Sequence, residues 1–336
     1  MKAQILDVIS PVEERPLRLV DLPVPMPATK EILVRVSACG VCHTELDEIE
    51  GRLTPRLPIV PGHEIIGRVE RTGRDVRRFS IGDRVGIAWV FSACGQCSYC
   101  VQGNENLCTQ FMGTGCDANG GYAAYTLVSE DYAYPIPERF DDSQAAPLLC
   151  AGAIGYRDLR LSGIRPGQTL GLFGFGASAH IVLQVARYWD CEVFVFTRSE
   201  EHRDLARRLG ATWAGAPDDD PQVRLACAID FTPVGDTVPK ALRVLDKGGR
   251  LVMAVIRKRN PIPPMDYAQL LWDEKELKSV ANIARTDIEE FLPLAARIPI
   301  LPQVQEFALE QANDALILLK RGEVQGAAVL RMTETP

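Results

Sequence analysis

The sequence predicts a two-domain α/β protein, a β-rich half followed by a doubly wound parallel sheet, and three observations carry that prediction. Short β-branched bursts broken by Gly and Pro fill the first half. From about Cys150 strand patterns alternate with helix patterns, the arrangement of parallel strands joined by crossover helices. A glycine turn of the form G-x-G-x-x-A lies inside that alternating part, between a strand and a helix.

Taken in order, EILVRVSA (31–38), EIIGRVE (64–70), DRVGIAW (83–89) and GYAAYTLVS (121–129) read as strands, because β-branched residues cluster between turn formers. TLGLFGF (169–175) then leads into the helix ASAHIVLQVARYW (177–189), and EVFVFT (192–197) into SEEHRDLARRLG (199–210). ACAIDFT (226–232) and RLVMAVI (250–256) complete the parallel strands. The tail, with EEFLPLAARI (289–298) and VQEFALEQANDALILLKRGEV (304–324), returns to mixed elements that pack back on the first domain. The expected domains are therefore 1–149 with 287–336, and 150–286.

At 336 residues the chain has room for two domains, and 46% hydrophobic with 24% charged residues is an ordinary globular composition. A formal charge of -7 with no basic stripe argues against a nucleic-acid surface; Arg257, Lys258 and Arg259, the nearest approach to one, read as a solvated face. No apolar run is long enough to span a bilayer. The opening MKAQILDV lacks the apolar core of a secretion signal, so a cytoplasmic, reducing location is expected.

In Gly174-Phe175-Gly176-Ala177-Ser178-Ala179 the first glycine permits the tight turn, the second lets backbone approach a pyrophosphate, and Ala179 keeps helix–sheet contact close. Backbone N–H groups at the helix start then face phosphates, which predicts a dinucleotide site. An NAD site usually ends its second strand in Asp or Glu, but Thr197-Arg198-Ser199 stands here. Hydroxyls and a guanidinium suit a 2′-phosphate, so NADP(H) is favoured and NAD(H) stays possible. Ser199 also reads as a plain helix N-cap, with Glu200 and Glu201 in the first turn.

Cys94, Cys97, Cys100 and Cys108 form a C-x2-C-x2-C-x7-C run, a ligand set that closes a tetrahedron around a structural zinc in a lobe of about 92–110. In a reducing compartment, metal is favoured over disulfides. Cys42, His63 and Cys150 are scattered, with no fourth protein ligand evident, and describe an open zinc with a position for water or substrate.

With these motifs the chain resembles the zinc-dependent alcohol dehydrogenases of the medium-chain dehydrogenase/reductase superfamily, in spacing most like the bacterial and cinnamyl-alcohol-dehydrogenase-like branches. The motifs are Gly40-Val41-Cys42-His43-Thr44, Pro61-Gly62-His63-Glu64, Gly82-Asp83-Arg84-Val85-Gly86, the four-cysteine lobe, Gly120-Gly121-Tyr122-Ala123 and the glycine turn, spread over nearly the whole chain. The resemblance implies a GroES-like catalytic domain, a Rossmann cofactor domain, and a homodimer or homotetramer acting on small-molecule alcohols or aldehydes. It implies that Cys42, His63 and Cys150 hold a catalytic zinc, with Glu64 beside it and Thr44 starting a proton relay. Glu45 stands where relatives carry an Asp that orients the zinc histidine, and Asp47 where many carry a relay histidine. Gly326-Ala327 replaces a Gly-Arg pair that contacts pyrophosphate. Leu53 and Trp89 fall at pocket-lining positions, implying an apolar pocket for aromatic or medium-chain primary alcohols. A second reading, a non-catalytic zinc- and nucleotide-binding redox sensor, rests on the pair Cys39 and Cys42.

Overall fold

The computed structural model describes residues 1–332, which form two compact units. Unit 1 comprises Met1–Cys150, Ile283–Pro293 and the chain from Leu301 onward; unit 2 comprises Ala151–Asn282 and Leu294–Ile300. The division differs from the expected one in that residues 283–286 fall in unit 1, Leu294–Ile300 in unit 2, and half-buried Cys150 in unit 1. The 3-10 turn Ala146–Leu149 just before it is wholly buried.

Unit 1 is organised by strand β1 (Glu31–Val41), helix α1 (His43–Ile49), strand β2 (Ile65–Thr72) and strand β3 (Arg84–Ile87). The sheet runs in the order Val304–Ala308, Ala327–Arg331, β1, β2, β3, Ala133–Pro135. Strand Tyr125–Ser129 pairs with the first half of β1, and Ala327–Arg331 with its end. Because β1 has neighbours on both edges, it is buried along most of its length, and Ile32, Leu33, Val34, Ala38 and Cys39 are fully enclosed. Gly86 in β3 leaves the space that Leu149 fills: a Cβ there would lie 2.9 Å from Leu149 Cδ1. Burial of Leu148 and Leu149, each at 0% exposure, holds the 146–149 turn against the sheet; side chains of that size contribute about 2 kcal/mol apiece.

Unit 2 begins with α2 (Ala151–Ser162), β4 (Thr169–Phe173), α3 (Ala177–Tyr188), β5 (Glu192–Phe196) and α4 (Glu200–Arg208). It continues through β6 (Leu225–Asp230), α5 (Thr237–Val244), β7 (Leu245–Met253) and β8 (Glu276–Ser279). All six strands are parallel, in the order Trp213–Gly215, β5, β4, β6, β7, β8. The direction of winding therefore reverses between β4 and β6, as in a doubly wound sheet. Phe173 and Phe196 stack at 4.2 Å on adjacent strands and Trp213 packs 5.0 Å from Phe196, so one face of the sheet carries an aromatic core. Among the described residues no helix is long and apolar enough to cross a membrane.

The C-terminal helix Ala312–Arg321 is tied to α1 by a charge cluster. Lys320 Nζ donates to Glu50 Oε1 at 2.6 Å and to Glu13 Oε2 at 2.8 Å, Arg52 pairs with the same Glu50, and the Val12 N–H adds a third bond to it at 3.3 Å. Burial alone would raise the Glu50 carboxyl, but Lys320, Arg52 and the Val12 N–H hold it down at about 2. A folded-state value below the unfolded one adds stability above the unfolded pKa, and that stability disappears as pH falls through the folded pKa. Between pH 4.5 and 2 the parent should therefore lose more urea resistance than Glu50→Gln does, and parallel curves of midpoint against pH would refute the role.

Candidate active site

The antiparallel pairing of β1 and β2 brings the first three site residues together. Cys39 faces Ile65 in the register, and the Gly40 N–H donates to Glu64 O at 2.9 Å. Cys42, just beyond β1, thereby lies beside His63 and Glu64, just before β2. Gly40 is required for this: a Cβ on it would stand 1.9 Å from Glu64 Oε2 and 2.6 Å from Glu64 Cδ. Gly62 has φ +99°, in the left-handed region, and a Cβ on it would stand 2.4 Å from Tyr122 Cδ1, so the turn that leads into buried His63 needs glycine.

Cys42 caps α1, and the third helical residue, Glu45, reaches back to it. The Cys42 N–H donates to Glu45 Oε2 at 2.8 Å, while Glu45 Oε1 lies 2.5 Å from His63 Nδ1. One carboxylate thus fixes the backbone of one ligand candidate and the ring of another, and the His63 side chain also hydrogen-bonds the Cys42 thiol. Glu45 and His63 are buried, at 0% and 1% exposure. Burial opposes charging of His63, yet Glu45 and Cys42 outweigh it and raise its pKa well above the usual value.

Cys42, His63, Glu64 and Cys150 each offer a ligand atom, all within 4.8 Å of one another. The two thiols are 4.0 Å apart; a zinc tetrahedron with arms of about 2.3 Å has edges of about 3.8 Å, so the sulfurs fit. The Cys150 S–H holds Cys42 toward thiolate, with His63 adding to the effect, and Cys150 is correspondingly pushed up. Burial, then the charge of Cys42, pushes the Glu64 carboxyl well above its usual range. The sequence showed no fourth protein ligand and placed Glu64 beside the metal; the structure puts a Glu64 oxygen inside the group itself.

Thr44 is buried, with Oγ1 3.7 Å from Cys42 Sγ. Asp47 is engaged by Arg52: Arg52 Nε donates to its Oδ1 at 2.7 Å, and its carbonyl accepts from the Arg52 and Leu53 N–H groups. Trp89 packs edge-on against His63, centroids 5.1 Å apart at 80°, and contacts Phe111 at 6.2 Å. Leu53 is half-buried just after α1. Sequence reasoning missed Glu48, one helical turn beyond Glu45 and 1% exposed, whose carboxyl is pushed up by burial and then by Glu45. The signal available was its spacing, which puts Thr44, Glu45 and Glu48 on adjoining faces of one short helix.

Cys94, Cys97, Cys100 and Cys108 form a second group within the same 4.8 Å limit, around the short turns Ser98–Val101 and Glu105–Leu107. Cys94 Sγ and Cys100 Sγ are 3.8 Å apart, the tetrahedral edge. Backbone N–H groups of Gln96 and Cys97 bring the Cys94 thiol down to about 6, while burial pushes Cys100 up to about 12. The lobe is anchored by buried Glu105, which accepts from Arg285 Nε at 2.7 Å.

In unit 2, Gly174 has φ +84° and its N–H donates to Phe196 O at 2.8 Å, closing the turn after β4. A Cβ on Gly176 would meet nothing within 4 Å, so open space lies over the second glycine, where a ligand backbone could approach. Gly176 caps α3 with no side-chain bond to the first N–H groups, and Ala179 is fully buried behind them. Ala177 opens the helix. At the end of β5, Thr197 is buried with its N–H bonded to Gly215 O, Arg198 is exposed, and Ser199 caps α4 by accepting the His202 N–H at 3.3 Å.

Two family models match the chain: the alcohol dehydrogenase GroES-like domain over residues 28–138 and the zinc-binding dehydrogenase over 179–297. The "Probable alcohol dehydrogenase AdhA" of Mycobacterium tuberculosis is 46% identical over 95% of this chain and 94% of its own length. An alcohol dehydrogenase of Geobacillus stearothermophilus is 36% identical over 90% of this chain and 92% of its own. A cinnamyl alcohol dehydrogenase structure from Sorghum bicolor superposes with a TM-score of 0.88 at 25% identity, covering 99% of both chains.

The Gly40 contact generates a test of the site. Gly40→Ala should destabilise by about 1–3 kcal/mol through overpacking and reduce zinc retained by the Cys42 group while sparing the four-cysteine lobe. Metal analysis of paired samples, with Cys100→Ser as the variant that unloads the lobe instead, decides it; unchanged zinc in Gly40→Ala would sink the seating argument.

Proposed function

The chain belongs to the zinc-dependent alcohol dehydrogenases of the medium-chain dehydrogenase/reductase superfamily, and from that premise we propose that it moves hydride between NADP(H) and a primary aromatic or medium-chain alcohol or aldehyde. The observation that carries the reading is the convergence of half-buried Cys42 and Cys150 with buried His63 and Glu64. Two zinc ions per chain suit the two clusters, a catalytic one at Cys42, His63 and Cys150 and a structural one in the four-cysteine lobe. When bound, zinc supplies Lewis acidity toward an alcohol oxygen, and the nicotinamide supplies a hydride acceptor or donor.

The protein's own residues set the rest. Glu45 locks the His63 ring so that Nε2 faces the group. Thr44 accepts the hydrogen bond of the substrate hydroxyl and takes its proton as hydride leaves the carbinol carbon. With the Asp47 carboxylate engaged by Arg52, we leave it out of the proton path and route the proton from Thr44 to water. Trp89, braced against His63 and Phe111, and Leu53 furnish an apolar wall that selects aromatic or medium-chain substrates and excludes water from the reacting carbon.

The glycine turn with open space over Gly176 supports a dinucleotide, its pyrophosphate on the start of α3. Exposed Arg198 beside Thr197 and Ser199 supports a 2′-phosphate, and Glu200, the nearest acidic residue in the sequence, is paired with Arg203 and Arg207. The capping bond from His202 to Ser199 supports the alternative, an NAD(H)-preferring enzyme. Among the described residues β8 pairs only with β7, and exposed Tyr267 and Trp272 lie nearby in sequence; this open edge is where two copies would join in a homodimer or homotetramer.

Initial rates of benzaldehyde reduction with NADPH and NADH on zinc-replete protein test the reading. The expected result is a preference for NADPH of about tenfold, equivalent to about 1.4 kcal/mol, that Arg198→Ala erases. A preference for NADH assigns Ser199 to capping alone, and an equal loss with both cofactors in Arg198→Ala removes the phosphate contact.

A further inference from the structure

The run Arg257, Lys258, Arg259 reads in sequence as a solvated face, but Lys258 is buried to 11% side-chain exposure against an Asp230 that is fully enclosed. Lys258 Nζ donates to Asp230 Oδ2 at 2.6 Å and to Thr232 O at 2.7 Å. The other oxygen of Asp230 accepts from the Thr232 N–H at 2.8 Å and the Thr232 hydroxyl at 2.7 Å. The Arg259 N–H donates to Pro233 O at 2.6 Å, and the Gly235 N–H to Asn260 Oδ1 at 3.0 Å. The loop after β7 is thus fastened at Lys258, Arg259 and Asn260 to the loop after β6, the Lys258–Asp230 ion pair among the contacts.

The place of this latch in the sheet gives it meaning. The crevice of a doubly wound sheet lies at the carboxyl ends of the strands where winding reverses, here between β4 and β6. Thr232 borders that crevice, since a Cβ on Gly174 would lie 3.1 Å from Thr232 Cγ2. The adenosine half of a dinucleotide takes the β5 side, where Thr197, Arg198 and Ser199 end the second strand, so the nicotinamide half takes the side of β6 and β7. The two latched loops are the ones beneath it. Burial pushes the Asp230 carboxyl up and Lys258 pulls it back, so neither partner is easily lost without the other.

We propose that Asp230 and Lys258 are positioning residues that hold the loops after β6 and β7 in the shape that receives the nicotinamide-bearing half of the cofactor. The proposal rests on the dinucleotide reading of the Gly174 turn. Neither residue touches the reacting atoms; each acts through the backbone of Thr232 and of the loop that carries Lys258.

The test compares the zinc-replete parent with Lys258→Met and with the charge-neutral pair Asp230→Asn/Lys258→Met, which removes both charges and so avoids stranding a buried carboxylate. Calorimetric binding of NADPH and NADH is measured beside that of 2′,5′-ADP and AMP, which carry the adenosine half alone, together with KM for the cofactor and kcat. The expected result is a loss of about tenfold in dinucleotide affinity and a matching rise in KM, the size of losing order in one loop. Binding of the adenosine fragments and kcat should hold within about twofold, far inside that tenfold shift. Equal weakening of fragment and dinucleotide would make the pair a plain fold element and overturn the proposal, as would parent-like binding by the double variant. Should Lys258→Met fail to fold, the double variant alone decides. A parent that binds neither dinucleotide refutes the cofactor reading itself, a failure distinct from any result with the variants.

Discussion

The antiparallel contact between β1 and β2 is the constraint on which the catalytic-type site depends. Cys42 and His63 are separated by twenty intervening residues, and only the register that sets Cys39 opposite Ile65 brings them side by side. That contact is unusually close. A Cβ on Gly67 would stand 2.2 Å from Arg35 O, next to the register shift between Val36 and Ala38, and one on Gly40 would collide with Glu64. Glycines here let two strands approach until a carboxylate and a histidine from one meet a cysteine from the other.

Acids and thiols crowd that site in a space largely closed to water. Glu45, Glu48 and Glu64 lie buried around His63 and two cysteines, and the carboxyls of Glu48 and Glu64 are driven up by burial first and then by the charges of Glu45 and Cys42 respectively. A divalent ion held by thiolates reverses that penalty, since it becomes the largest charge present. The four-cysteine lobe solves a different problem. Its short helical turns have little core of their own, and four cysteines within reach of one another offer a closed ligand set in its place. Glu105 and Arg285 then tie the lobe to the helix Arg285–Arg297 in unit 1.

In unit 2 the same economy of position recurs at strand ends. Gly174, Ser199, Thr232 and Lys258 follow four neighbouring parallel strands; the first three use backbone or capping bonds to fix a loop, and Lys258 uses its ammonium. Parallel strands buried on both faces leave function to those loops, because only their ends reach the crevice.

Much of this was legible in the sequence. The four clustered cysteines declare a metal lobe because ligand spacing within one short loop is itself a geometric statement. The alternating strands and helices and the glycine turn declare a doubly wound sheet because a periodicity of two followed by 3.6 admits few other packings. Long-range partners were beyond its reach. That a Glu64 oxygen lies within 4.8 Å of Cys42, His63 and Cys150, that Asp47 is engaged by Arg52, and that Lys258 reaches in to Asp230 all depend on which side chains meet across the folded chain. Residue types and spacing determined the family of chemistry and the sheet that carries it; register and burial, which fix charges relative to one another in a medium that screens them poorly, were decided only when the chain folded.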